Sequence, residues 1–217
     1  MNNNLLIIGA GVYGVVAMEI AESMKCFDKI AFVDDEKKET PNGIKVIGTC
    51  SDIENLVEEY SNIIVAIGNP EVRLSLLQKL EEEHPCRVVK LISPKAYVAP
   101  SAQIMQGCIV EPMAVIQSMS LIAKGCIISA GAVVNHASMC CDGVHVDCNA
   151  TVAGNTLVPA GMKIKSGEIY DRKEAEVNDF FFNSEEWAKR LNKIKDPIEK
   201  RTPVPIDGKL YNFDDVM

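Results

Sequence analysis

The chain has no stripe of lysine or arginine. Its 217 residues carry 22 Lys and Arg against 30 Asp and Glu, a net charge of −8, with a pI near 5.0. That balance argues against a nucleic-acid partner. No apolar run approaches the roughly 20 residues a membrane-spanning helix requires. The start, MNNNLLIIGAG, lacks the basic segment of a secretory leader. The expectation is a cytoplasmic protein with no membrane span. Histidine is also scarce, with three in the chain: His84, His136 and His145. His84 lies at a Glu-rich helix end and reads as structural.

What is present is a period of six. From Val98 to Ile169 every sixth residue, counted from Val98, is Val or Ile, with Cys140 the single departure. No residue is inserted or lost across the run. The residue two places before each of these is mostly small. Glycine or asparagine recurs one place earlier still, at Gly107, Gly125, Gly131, Gly143, Asn149, Asn155, Gly161 and Gly167. An unbroken hexad is the mark of a parallel β-helix. β-Branched residues suit a short strand facing a narrow core. Gly and Asn suit corners with φ > 0. Three hexads make one triangular coil of eighteen residues. A sandwich of ordinary strands would show variable turn lengths instead. Eight cysteines invite a disulfide reading. But Cys108 and Cys126 fall in the small-residue column and Cys140 in an inward Val/Ile slot. They read as core thiols in a reducing compartment.

Ahead of the repeat the pattern changes. Leu5–Ile8 is a continuous apolar run, as a buried parallel strand should be. It enters Gly9-Ala10-Gly11-Val12-Tyr13-Gly14, a complete GxGxxG, and a helix follows to Met24. A second strand, 29–33, ends at Asp34-Asp35, twenty residues after Gly14. That is where a dinucleotide fold places its ribose-binding acid. Residues 44–47 form a short apolar stretch, and 52–60 read as a helix. A strand over 62–67 ends at Gly68-Asn69-Pro70. A helix over 71–83 places Val72, Leu76, Leu77 and Leu80 inward, and 87–92 read as a last strand. This β-α-β alternation predicts a small parallel sheet covered by helices. Backbone N–H groups of the glycine loop suit a phosphate. The domain is half a full dinucleotide fold, which fits one nucleotide better than NAD.

These features resemble the NeuD/PglD type of bacterial sugar O- or N-acyltransferase. The resemblance rests on IIGAGVYG, on FVDDE around Asp34-Asp35, on AIGNPEVR from Ala66 to Arg73, and on VVNHASMCCDGVH. It implies an α/β Rossmann-like domain over 1–93 and a left-handed parallel β-helix over 94–170, and the residues beyond, 171–217, are read from their own pattern as a C-terminal helical tail. It implies a nucleotide-activated sugar at Gly11, Val12, Tyr13, Asp34, Asp35, Gly68 and Asn69. It places the catalytic base at His136, supported by Asn135. Acetyl-CoA, as co-substrate, goes to His145, Ala153 and Gly154. It implies a homotrimer with the site between neighbouring β-helices, and no permanently bound cofactor.

The chemistry stands independently of the resemblance. A thioester acyl transfer needs an amine or hydroxyl that loses a proton on attack. A neutral imidazole takes that proton near pH 7, and corner N–H groups can stabilise the oxyanion. The bland alternative puts both histidines at solvent-facing corners. A metal reading would use His136, Cys140, Cys141, Asp142, His145 and Cys148, as in the trimeric gamma-class carbonic anhydrases. Cys140 points inward and the spacing is no zinc ribbon, so no metal is expected.

The chain departs from the family in three places. Ala137 follows His136 where many members have an acid. The repeat stops near Ile169. The ending carries Phe181, Ser184, Trp187, Ala188 and Leu191 at helical spacing, read as a helix over the open coil, then an extended tail marked by Pro197, Pro203 and Pro205. These departures support a second reading, a sugar-nucleotide-binding trimer that has lost CoA binding.

Overall fold

The computed structural model describes residues 3–83, 87–172, 204–206 and 209–211. Two bodies follow one another along the chain. The first is a five-stranded parallel sheet in the order β3-β2-β1-β4-β5. Its strands are β1 (Leu5–Ile8), β2 (Ile30–Val33), β3 (Val46–Gly48), β4 (Asn62–Val65) and β5 (Arg87–Val88). The central strands β1 and β4 are fully buried, which is why they read as unbroken apolar runs. Helices α1 (Val12–Met24), α2 (Ile53–Leu56) and α3 (Pro70–Glu83) complete the body.

Three details differ from the sequence reading. The helix expected over 52–60 is a 3-10 turn at Cys50–Asp52 followed by the short α2. The inward stripe of α3 is Arg73, Leu77 and Leu80, with Val72 exposed. Successive helical residues lie about 100° apart, so Val72 cannot share the face of Arg73. Finally, 87–92 is not one strand. Asn62 and Ile63 pair with Arg87 and Val88, whereas Leu91 and Ile92 pair with Ile109 and Val110. The chain changes sheets at Val89-Lys90 and enters the coil there.

The second body is the parallel β-helix. Each strand pairs with the one eighteen residues later, Ile109 with Ile127 and Ile127 with His145. Three sheets form the sides of a prism. The first face holds Leu91–Ile92, Ile109–Val110, Ile127–Ile128, His145–Val146 and Lys163–Ile164. The second holds Gln103–Ile104, Leu121–Ile122, Met139–Cys140 and Leu157–Val158. The third holds Tyr97–Val98, Val115–Ile116, Val133–Val134, Thr151–Val152 and Ile169–Tyr170. The hexad Val and Ile residues, with Cys108, Cys126 and Cys140, form one buried interior.

Every sixth residue from Gly107 to Gly167 has φ between +53° and +71°. Met113, Met119 and Ala137 occupy this column without being Gly or Asn, so three corners hold a conformation that disfavours L side chains by roughly 1 kcal/mol each. The seven described cysteines are free thiols. The helix expected over Phe181 to Leu191 lies outside the described residues, as does His84. Further along the chain, Val204–Ile206 pairs antiparallel with Lys209–Tyr211, and the rest of the tail expected to be extended lies outside the described residues.

The two bodies are locked together along α3. An added Cβ on Gly125 would lie 2.7 Å from a Leu77 methyl, so only glycine admits the helix so close. Between them sits Arg73, wholly buried. It donates through Nε to Gly125 O at 2.7 Å and through Nη2 to Gly143 O at 2.8 Å. Its Nη1 reaches Ile67 O at 2.6 Å and Gly68 O at 2.9 Å. One guanidinium therefore pins two corners of the coil to the end of β4.

Candidate functional site

The glycine loop and the Gly68-Asn69 turn lie side by side, because β1 and β4 pair in parallel and end together. The Asp34 carboxylate ties the loop to β2. Its Oδ2 accepts from Ala10 N at 2.7 Å, and its Oδ1 from Glu36 N and Lys37 N at 3.0 and 2.9 Å. Partial burial works against ionisation of Asp34, but these N–H groups and the Lys37 charge outweigh it and hold the acid below its ordinary range. Asp35 accepts from Cys50 N at 2.8 Å. Asn69 Oδ1 caps α3, accepting from Glu71 N and Val72 N. Three residues read as ligand contacts thus have structural work for at least one oxygen each.

The mouth of α1 is open. Gly11 is its N-cap with no side-chain cap, and the first turn holds no acid. Lys37 Nζ lies 3.1 Å from where a Cβ on Gly11 would be. A cation and the positive end of a helix converge there, a combination suited to phosphate. Sequence reading missed Lys37, although it follows the Asp pair by two residues. Val12 stands 72% exposed at this mouth, while Tyr13 turns inward against the apolar cluster that joins α1 and the sheet to Leu91 and Ile109 of the first face.

On the coil, His136 sits exposed at the corner between the third and second faces. Asn135 Oδ1 accepts from His136 N at 2.8 Å, so Asn135 braces the backbone of the corner. One coil above, a Cβ on Gly154 would fall 3.0 Å from His136 Cε1 and 3.1 Å from Nε2. Gly154 thus leaves the room in which the imidazole lies. Ala153 O accepts from Ser138 Oγ at 2.8 Å, closing the same corner.

His145 is on a strand of the first face, not at a corner. Its Nε2 is 3.0 Å from Ser129 Oγ and 3.9 Å from Asp147 Oδ1. Burial, then the Lys163 charge, push its pKa down to about 4, against the opposing pull of Asp147. It is a neutral hydrogen-bonding group at physiological pH. Nine residues is half of an eighteen-residue coil, so one chain carries His136 and His145 on different sides of its prism. Among the described residues no group of three His, Cys, Asp or Glu is arranged to hold a metal, and no helix is long and apolar enough to cross a membrane.

Comparison with known proteins places this architecture. The model of the PglD N-terminal domain matches residues 4–80. The acetyltransferase domain of PglB from Neisseria gonorrhoeae FA1090, solved with acetyl coenzyme A, is 33% identical, with a TM-score of 0.75 over 80% of this chain and 84% of that one. A mutant perosamine N-acetyltransferase from Caulobacter crescentus, solved with CoA and GDP-perosamine, is 28% identical, with a TM-score of 0.65 over 78% of this chain and 89% of that one. The coil is left-handed, as in these acetyltransferases. The N-terminal α/β domain followed by a left-handed prism is thus a shared architecture, and the chain belongs to the NeuD/PglD-type family of sugar acetyltransferases.

Proposed function

We propose that the protein moves an acetyl group from acetyl-CoA to the amine or hydroxyl of a nucleotide-activated sugar, for surface glycan or sialic-acid-like sugar synthesis in the cytoplasm. The observation that carries this reading is the exposed His136 ring at a corner where Gly154 leaves it space. The nucleotide sugar is held by the domain of residues 1–93. Gly11, Val12 and Tyr13 line the diphosphate, with Lys37 as its cation. Asp34, Asp35, Gly68 and Asn69 border the rest. The β-helix of 94–170 supplies the chemistry. Acetyl-CoA enters as co-substrate against His145, Ala153 and Gly154, and no permanent cofactor is involved. His136 takes a proton from the attacking nitrogen or oxygen as the bond to the acetyl carbon forms. The C–S bond breaks, and the imidazolium returns the proton to the departing CoA thiolate. No acyl-enzyme is needed.

Because one chain separates His136 from His145, the working site is formed between copies in a homotrimer. The third face supports this. Tyr97 and Ile169 on it are 57% and 70% exposed, and Met113 and Met119 on the flanking corners 68% and 63%. The hexad repeat of the sequence stops near Ile169, which favours the second reading, a sugar-nucleotide-binding trimer without CoA. Thiol release from acetyl-CoA with UDP-, GDP- and CMP-amino sugars separates the two. Turnover that falls about 10²-fold in His136→Ala is expected for a lost general base. Absence of both turnover and acetyl-CoA binding would leave the binding protein.

A further inference from the structure

Ser129 stands on the corner after the strand Ile127–Ile128, one coil below His145, and is 3% exposed. Among the described residues its hydroxyl hydrogen-bonds only to His145 Nε2, at 3.0 Å. The corner that carries it is braced twice. Buried Glu111, one coil lower and beside Tyr13 of α1, accepts from Ala130 N through Oε2 at 3.1 Å. Ser129 N donates to Val146 O at 2.9 Å. Ser129 therefore has a fixed backbone and a single place to put its hydroxyl proton.

This decides which nitrogen of His145 carries hydrogen. The ring is neutral at physiological pH, because burial and then the Lys163 charge hold its pKa near 4. A neutral imidazole has one donor and one acceptor nitrogen. A hydrogen on Nε2 would turn Ser129 into the acceptor and leave its own buried O–H without one, a costly arrangement. The other oxygen near Nε2 is Asp147 Oδ1, 3.9 Å away, beyond hydrogen-bond reach. That atom already accepts from Cys148 N at 2.8 Å, and Asp147 Oδ2 pairs with Lys163 Nζ at 2.9 Å. So Ser129 donates, Nε2 accepts and Nδ1 keeps the hydrogen. Among the described residues Nδ1 makes no hydrogen bond. The reacting end of a thioester offers a carbonyl oxygen, which accepts but cannot donate, so an imidazole holds it only through N–H. Negative charge gathers on that oxygen as the acceptor attacks and leaves it as the C–S bond breaks, so such a donor acts most strongly in the transition state. With Nε2 engaged by Ser129, Nδ1–H is the donor the ring has left.

We propose that Ser129 is a positioning residue for the acetyl transfer: by donating to His145 Nε2 it keeps the ring hydrogen on Nδ1, and Nδ1–H holds the acetyl carbonyl oxygen of acetyl-CoA. This rests on the acetyl-transfer reading and gives His145 the tautomer that reading needs. Ser129 acts through the ring and not on the acetyl group. Glu111 acts one step further back, through the corner Ser129-Ala130.

The test pairs solid-state NMR with kinetics on the full chain. Protein labelled with 15N in its histidines shows protonated and bare ring nitrogens at separate shifts, and the His145 signals are those missing from His145→Gln. Wild type at neutral pH is expected to show a bare Nε2 and a protonated Nδ1. In Ser129→Ala the Asp147 carboxylate is the nearest attraction left at Nε2, and the hydrogen should move there. Thiol release by that variant should fall roughly 10²-fold in kcat/KM for acetyl-CoA, the scale of one lost oxyanion donor, with KM for the sugar nucleotide unchanged. A wild type with its hydrogen on Nε2 overturns the proposal, whatever the variant does. So does Ser129→Ala with the wild-type rate, or with a lowered rate and the wild-type tautomer, which would make Ser129 merely structural. Each of these leaves the acetyl-transfer reading standing. A wild type that has the expected tautomer but releases no thiol removes that reading, and the proposal with it.

Discussion

Gly154 and His136 share one corner without room to spare. A methyl at 154 would press on the imidazole at 3.0–3.1 Å, so the ring must shift by tenths of an ångström. Gly154→Ala is expected to lower thiol release by roughly tenfold, as misplacement of a catalytic group does, with Tm nearly unchanged. The φ of Gly154 is not in the left-handed range, so any loss comes from the ring's position and not from the backbone. His145 makes a second prediction. Its folded pKa lies near 4 and its unfolded value near 6.5. The unfolded state therefore binds more protons between these values, and stability falls as pH drops from about 6.5 towards 4. His145→Gln should flatten that part of the stability curve, measured by urea unfolding at several pH values. At this scale the structure adds fastening work to positions that the sequence marks out. Asp34 and Asn69 were legible as special, but their oxygens fasten the loop and cap α3. Glu111 was illegible, because nothing in a hexad distinguishes an outward acid in water from one covered by another domain.

At the scale of elements, α3 is the piece that sequence pattern misread. Val72 looked like the start of an apolar stripe, and the stripe begins with a charge. The hint was Arg73 in line with Leu77 and Leu80. A buried arginine with carbonyl partners on a distant coil is a tertiary fact that helical periodicity does not encode. Replacing Arg73 with Met leaves four carbonyl oxygens without their donor, each buried polar loss being worth about 1–3 kcal/mol. Partial relaxation sets the expected total near 3 kcal/mol, read from the denaturant midpoint. Arg73→Lys should recover little, since an ammonium lacks the planar fork. The β-helix, by contrast, was legible almost rung by rung. A period of six with no insertions admits few other folds, and the corner column predicted the positive φ angles. Met113, Met119 and Ala137 escaped because the fold imposes that conformation on whatever residue falls there.

For the whole molecule, the third face is the surface to challenge. Val133→Glu places a charge in the middle of that apolar sheet face. If copies meet there, the variant should run at monomer mass in light scattering and lose thiol release, while its coil still melts cooperatively. A wild type that is itself monomeric would sink the shared-site reading. The division into two bodies was legible from the switch of hydrophobic period. Their mutual placement was not, because it depends on Leu77 meeting Gly125 and on Arg73 reaching across.

That crossing guanidinium has a kinetic corollary. By tying the turn after β4 to two rungs of the coil, Arg73 removes the joint about which the domains would otherwise swing. A nucleotide sugar then meets a cleft whose walls are set at folding. Its association should be a single exponential at every ligand concentration, with an observed rate that climbs linearly and never reaches the plateau of a rate-limiting closure.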